Sequence, residues 1–135
     1  MAVHYLLDTN ISSYIIKGNP PLVREHLVKV PMAEVGISVV TEAELRFGVA
    51  KKLEAARLEL AVEEFLIRVE ILPWDSAAAH QYARIRSALA GEGAPMGNLD
   101  IMIAAHALAA ETVLVTHDRV FRRVKGLRVE DWTRA

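Results

Sequence analysis

The sequence predicts a three-layer α/β/α domain with a central parallel sheet. Short apolar runs beginning at Val3, Val35 and Thr112 read as strands buried on both faces. Between them lie longer segments whose apolar residues recur at helical spacing. Strands alternating with helices imply parallel pairing through right-handed crossovers, which places the C-terminal ends of all strands on one rim.

Taken in order, the first strand lies within Val3–Asn10 and stops at Asp8, with Thr9 and Asn10 available to cap a helix over Ile11–Lys17 that Gly18 ends. Asn19 is placed to cap a second helix, with Pro20 at its first position and an end near Lys29. Val35–Val40 is the second strand. Thr41-Glu42-Ala43-Glu44 matches a capping box, so a third helix is expected to start there, with Gly48 in its interior. Leu58, Ala61, Val62, Phe65, Leu66 and Val69 form the clearest helical stripe, and Ile71–Leu72 a brief strand. Asp75 or Ser76 caps a fifth helix that stops at Gly91. The loop 91–97 carries Gly93 and Pro95 as further breakers. Asn98 caps a sixth helix, Leu99–Ala110, apolar nearly all round and so buried on most sides. Thr112–Val115 is a strand, followed by a short basic helix and a last strand near Leu127–Val129.

A chain of 135 residues without internal repeat or linker is expected to form a single domain over 1–135, long enough for a real core. A hydrophobic fraction of 53% against 24% charged residues argues against disorder. The net charge of −1 excludes a globally basic nucleic-acid binder, so any affinity for nucleic acid must come from a local patch. The absence of cysteine excludes a disulfide framework and thiolate metal sites, and fits a cytoplasmic protein. No secretory signal is evident. The most apolar region, Ile101–Val115, is interrupted by His106 and Glu111 and is too short to span a bilayer.

The chemistry is concentrated in carboxylates. Asp8 ends the first strand, Glu44 falls in the first turn of the third helix, Asp100 in the first turn of the sixth, and Asp118 follows the strand ending at Val115. Each has a plain structural role open to it as a cap or a helix-dipole partner. Together they would put four acids from four segments on one rim. Two carboxylates about 5 Å apart repel by roughly 3 kcal/mol at an effective dielectric of about 20. Such a cluster persists by binding protons or cations, and hard oxygen donors suit Mg²⁺ or Mn²⁺. Ions of that kind serve phosphoryl chemistry. Glu42 lies about 200° around a helix from Glu44 and points elsewhere. The five histidines form no HxxxH or HExxH pair. His117, beside Asp118, is either a substrate contact or a surface residue. Arg119, Arg122, Arg123, Lys125 and Arg128 make a basic segment that reads equally as a phosphate-binding patch or a solvated face.

The stretches YLLDTN, SVVTEAELRFGV, GAPMGNLDIMIAAHALA and LVTHDRVFRRVKGLRVEDW, in that order, resemble the PIN-domain ribonuclease toxins of toxin–antitoxin pairs, the VapC type. The resemblance covers essentially the whole chain. It implies a PIN-like fold and hydrolysis of RNA, in loops of tRNA or ribosomal RNA. Asp8, Glu44 and Asp100 would hold Mg²⁺, with Mn²⁺ able to substitute, and Asp118 would assist as catalytic and metal-site acid. It also matches Thr116 and Arg86 to substrate-handling positions. The implied partners are a small antitoxin that blocks the acidic site and a second copy in a homodimer. Gly48, flanked by Phe47 and Val49, is the expected place of close approach, either to that copy or to the fourth helix. Two other classes are weighed against this one. A phosphotransfer domain accounts for Asp8, but the phosphatase pattern wants a second Asp where Asn10 stands, and a receiver wants a late Lys after a strand. An inactive PIN scaffold that only binds RNA or protein would lack some of the acids.

Overall fold

A computed structural model describes residues 2–93 and 95–135; Ala94, inside the expected 91–97 loop, and Met1 lie outside the described residues. The elements run β1 (Tyr5–Leu7), α1 (Thr9–Lys17), α2 (Pro21–Leu27), β2 (Val35–Ser38), α3 (Val39–Ala50), α4 (Ala56–Arg68), β3 (Glu70–Leu72), α5 (Ser76–Gly91), α6 (Asn98–Ala109), β4 (Val113–Val115) and β5 (Arg128–Glu130). Short 3₁₀ turns occupy Met32–Glu34 and Arg119–Arg123.

The strands form one parallel sheet in the order β3-β2-β1-β4-β5. Leu7 faces Ile37 on one side and Val115 on the other. Side chains alternate across the pleat, so Leu6 and Leu114 enter one core with α5 and α6. Leu7, Ile37 and Val115 enter the other with α1 and α4. These strand residues are fully buried, as the apolar runs require. Gly36 is the small residue in β2 for a steric reason. A Cβ there would stand 3.0 Å from the Glu70 carbonyl oxygen and from the Val3 side chain.

The chain builds the sheet outward from β1 to β3, then returns to the other side of β1 for β4 and β5. The strand order therefore reverses between β1 and β4, where open α/β sheets form a crevice beyond the strand ends. α3 lies across the two cores: Val40 belongs to one and Leu45 to the other. α6 is buried as expected, from Ile101 through Ala107 with little interruption. Among the described residues no helix is long and apolar enough to cross a membrane.

Several helix starts differ from the sequence expectation; in α1 and α3 a nearer side chain takes the cap, whereas α2 and α6 start without a side-chain cap. α1 is capped by Asp8 itself rather than by Thr9 or Asn10. α2 begins at Pro21, preceded by Pro20, and ends at Leu27. The strand expected over 35–40 stops at Ser38, whose side chain accepts the Val40 N–H at 3.0 Å. α3 thus starts two residues before the capping box, and Thr41 is buried inside it. The β-branched Val39 and Val40 accept helical geometry because Val40 packs into the core, which outweighs their propensity. α6 takes Gly97 as its cap, with Asn98 its first residue. Gly48 makes no close approach within the chain: a Cβ there would meet nothing within 4 Å. The alternative contact with α4 is therefore not made at that position.

Candidate functional site

The crevice between β1 and β4 is organised by Asp8. Its Oδ1 accepts the Ile11 N–H at 2.8 Å, and its carbonyl accepts the Ser12 hydroxyl at 2.8 Å, which fastens the strand end to α1. Its own N–H donates to the Val115 carbonyl at 3.0 Å. Thr116, buried just past β4, donates to the Asp8 carboxylate and accepts the Asp118 N–H on its Oγ1 at 3.0 Å. One hydroxyl thereby sets two of the acids. Asp118 Oδ1 accepts the Val120 N–H at 3.0 Å, so this acid is also the cap of the following turn.

Burial pushes the Asp8 carboxyl up to about 6; its bonds from Thr116 and Ile11 oppose the rise, and the charges of Asp100 and Asp118 add to it. Asp100, half-buried at the start of α6, is raised by burial and then by Asp118 and Glu44. The charged groups bearing on Asp8 and Asp100 are all acids. Glu44 stands in the second turn of α3, not the first, because the helix begins at Val39. Its Oε1 accepts the Thr9 hydroxyl at 2.5 Å, and Thr9 lies 3.2 Å from Thr41 Oγ1. The four acids named from sequence are thus linked electrostatically on one rim. Among the described residues, however, no three of them converge closely enough to enclose an ion as they stand.

The cations are distributed unevenly. Arg119 and Arg122 are exposed beside Asp118, at the edge of clefts that His117 and Arg134 also line. Arg123 turns to Glu92, at 3.5 Å. Arg86 is exposed on α5 and donates to the Tyr82 hydroxyl at 2.9 Å, which in turn reaches Asn98 at the head of α6. It therefore borders the segment that carries Asp100 without bearing directly on the acids.

A family model described as PIN domain matches residues 5–127. The chain belongs to the PIN-domain family. Within it, this PIN domain belongs with the VapC proteins. It is 41% identical to a protein of Shigella flexneri named tRNA(fMet)-specific endonuclease VapC, over 96% of this chain and 98% of that one. A crystal structure of DNA-bound VapBC from Salmonella typhimurium superposes with a TM-score of 0.90 at 39% identity, covering 96% of this chain and 98% of the other. VapBC2 from Rickettsia felis, bound to a fragment of its promoter DNA, superposes at 0.88 with 32% identity, over 96% and 99% of the two chains.

Sequence reasoning left out the second layer of this VapC site. Thr9 reads locally as a cap, yet its partner Glu44 is 35 residues away. His106, buried in α6, lies 2.7 Å through Nδ1 from Ser38 Oγ, and its ring also bonds the backbone of Pro73. Burial lowers its pKa, so the neutral ring ties α6, which carries Asp100, to the start of α3, which carries Glu44. The one available signal was a histidine inside an otherwise apolar helix.

Proposed function

We propose that this VapC protein is the toxin of a toxin–antitoxin pair and a divalent-cation-dependent endoribonuclease, with Asp8, Glu44, Asp100 and Asp118 as its catalytic acids. The observation that carries the reading is Asp8: a buried carboxyl at the strand-order reversal, pushed up to about 6, with other acids and no cation bearing on it. Such a group takes up either a proton or a cation. The donor set fits Mg²⁺, with Mn²⁺ able to substitute, since both prefer hard oxygen ligands. Mg²⁺ commonly uses one or two carboxylates and keeps several waters, which suits acids that approach without enclosing an ion. Asp8, Glu44 and Asp100 would hold it, with Asp118 assisting. A cation bound there supplies Lewis-acid stabilisation of phosphate charge and activation of water.

The chain's own residues then have definite tasks. Asp8 is held in orientation by its bonds from the Ile11 N–H and from Thr116, so little conformational freedom remains to be lost when it engages a ligand. In the hydrolysis, water adds its oxygen to phosphorus, the P–O3′ bond breaks, and the products are a 5′-phosphate and a 3′-hydroxyl. The proton released by the water passes to the acid cluster. Arg119, Arg122 and Arg123 belong to the basic segment that would meet the RNA backbone, and Thr116 and Arg86 border the acids and the head of α6. The substrate class is a structured RNA with an exposed loop, tRNA or ribosomal RNA; tRNA specificity is named for the Shigella flexneri relative.

Two surfaces support protein partners. A cleft of about 580 Å³ between α1, α2 and α4 is lined by Ile16, Leu27, Val28, Met32 and Phe65, with Arg24 and Arg68 at its edge. It suits an apolar segment of an antitoxin, the kind of partner named in the VapBC structures. Phe47 is 65% exposed beside the open backbone of Gly48, which supports a homodimer through α3. Gly48→Leu is expected to split that dimer in light scattering. The enzymatic reading is tested by mapping RNA 5′ ends after brief expression of wild type and Asp8→Asn. Site-specific new 5′ ends in the wild type alone are expected. Identical patterns, or full activity of the purified protein in EDTA, would refute it.

A further inference from the structure

Beside Asp118 lies a cleft of about 520 Å³ whose wall includes Tyr14, His117, Arg119 and Arg134. Its far wall is the C-terminal turn, and that turn is rigidly placed. Trp132 is 2% exposed, stacks on His26 with centroids 5.9 Å apart, and packs against Tyr5. His26 Nε2 lies 2.7 Å from the Arg134 carbonyl. Within the turn, Asp131 Oδ2 lies 2.9 Å from His117 Nδ1 and 3.3 Å from Arg134 Nε. Thr133 Oγ1 donates to Asp131 and lies 3.0 Å from the same His117 nitrogen. A carboxylate and a hydroxyl facing Nδ1 place the ring proton there, leaving Nε2 as an acceptor.

The remaining wall is formed by Asn10, Tyr14, Asp118 and Arg119, with Tyr14 half-buried against the core that holds Ile11 and Ile15. Among the described residues, Arg119 has no carboxylate partner, and Tyr14 has neither a ring partner nor a hydrogen bond to its hydroxyl. A guanidinium without an acid, an unstacked aromatic ring and a fixed imidazole acceptor therefore face one space next to an acid of the rim.

We propose that this cleft is a ribonucleotide subsite, seating the nucleotide that neighbours the scissile phosphodiester. Arg119 and Arg134 bind its phosphate. Tyr14 supplies the stacking face for its base, a contact that tolerates any base. His117 Nε2 accepts the hydrogen of its 2′-hydroxyl, the group that distinguishes RNA from DNA. Asp131 and Thr133 are positioning residues that hold His117 and Arg134 toward the cleft. The proposal rests on the ribonuclease reading for its substrate class and shares Arg119 with it, but assigns roles to Tyr14, His117, Asp131, Thr133 and Arg134 that the reading does not use.

The test is fluorescence polarisation of a labelled single-stranded ribo-oligonucleotide and its 2′-deoxy counterpart, with the full chain in EDTA at about pH 8, so that binding is read without cleavage. Arg119→Ala combined with Arg134→Ala should flatten the log K against log salt slope by about 0.7 for each phosphate no longer neutralised. Tyr14→Leu should weaken binding about tenfold, while Tyr14→Phe, which keeps the ring and the packing, should bind like wild type. His117→Ala should bring ribo- and deoxy-strand affinities together. Unchanged salt slope and unchanged RNA preference in these variants would overturn the subsite, even if the wild type cleaves RNA. A wild type that shows these binding dependences yet never cleaves RNA with Mg²⁺ or Mn²⁺ would instead overturn the ribonuclease reading and leave the subsite standing.

Discussion

Asp8 and Asp131 each follow the C-terminal end of a parallel strand, β1 in one case and β5 in the other, yet their surroundings are opposite in kind. Asp8 is buried among acids and is pushed up to about 6. Burial would raise Asp131 as well, but the Thr133 hydroxyl, the His117 imidazole and the Thr133 N–H outweigh it and hold that carboxyl at about 2. The difference lies in what surrounds each carboxylate, since the residue type and the place in the fold are alike. Where donors close around it, an acid becomes a structural anchor. Where other acids do, it keeps an uncompensated demand for a proton or a cation, which is the basis of the proposed metal site. The two regions adjoin, so the anchored acid can orient cationic side chains beside the cluster that lacks them.

The largest expected effect breaks the comparison at its acidic side. Asp8→Asn or Asp100→Asn should lower RNA cleavage by about 10²-fold or more, measured with a structured RNA in saturating Mg²⁺. The same Asp8→Asn protein should be more stable than wild type. In the folded state Asp8 has a raised pKa, so the native protein binds the proton more tightly than the unfolded chain. The cost of ionising it is absent below about pH 4, grows as pH rises toward 6, and is complete above that. At pH 7 the shift corresponds to about 3 kcal/mol. Asparagine keeps the cap and removes the charge. Denaturant unfolding in EDTA should therefore show Asp8→Asn stabilised by about 2–3 kcal/mol at pH 7 and by almost nothing at pH 4. Added Mg²⁺ should raise the stability of the wild type alone.

His106 sharpens the contrast, because burial moves a histidine the other way. Its folded pKa lies below the unfolded value, so its contribution is complete above about pH 6.5 and declines as acid charges the ring. Ser38→Ala removes both the α3 cap and the ring's hydroxyl partner, and should cost about 1–2 kcal/mol in thermal unfolding at pH 7. The smallest effect is expected at the anchor. Asp131→Asn should cost about 1 kcal/mol at pH 7, since solvent screens much of the interaction. Asp131 has a depressed folded pKa, so its stabilisation is present above about pH 4 and is lost as pH falls through about 2. The wild type and variant should converge over that interval in denaturant titrations. A cost at pH 7 matching that of Ser38→Ala would mean that Asp131 supports the core to the same degree as His106.

What the sequence determined by itself was whatever depends on neighbours along the chain. Short apolar runs containing YLL and VLV set the strands, the 3.6-residue stripe from Leu58 to Val69 set α4, and strand-then-acid at Asp8 and Asp118 placed two carboxylates on the sheet rim. The four-acid rim was legible for that reason, since strand ends of a parallel sheet must share an edge. The tertiary structure decided what depends on segments meeting across long separations. α3 begins at Val39, capped by Ser38, because Val40 finds a core and His106, 68 residues away, finds the Ser38 hydroxyl. Glu44 is oriented by Thr9, and the C-terminal turn is held by His26 across 108 residues. Local pattern specifies which face of an element is apolar and where its hydrogen-bond ladder ends. It does not specify which polar group of another element will be there to receive a buried donor, and at Asp8 and Asp131 that choice separates the proposed reactive acid from the anchor.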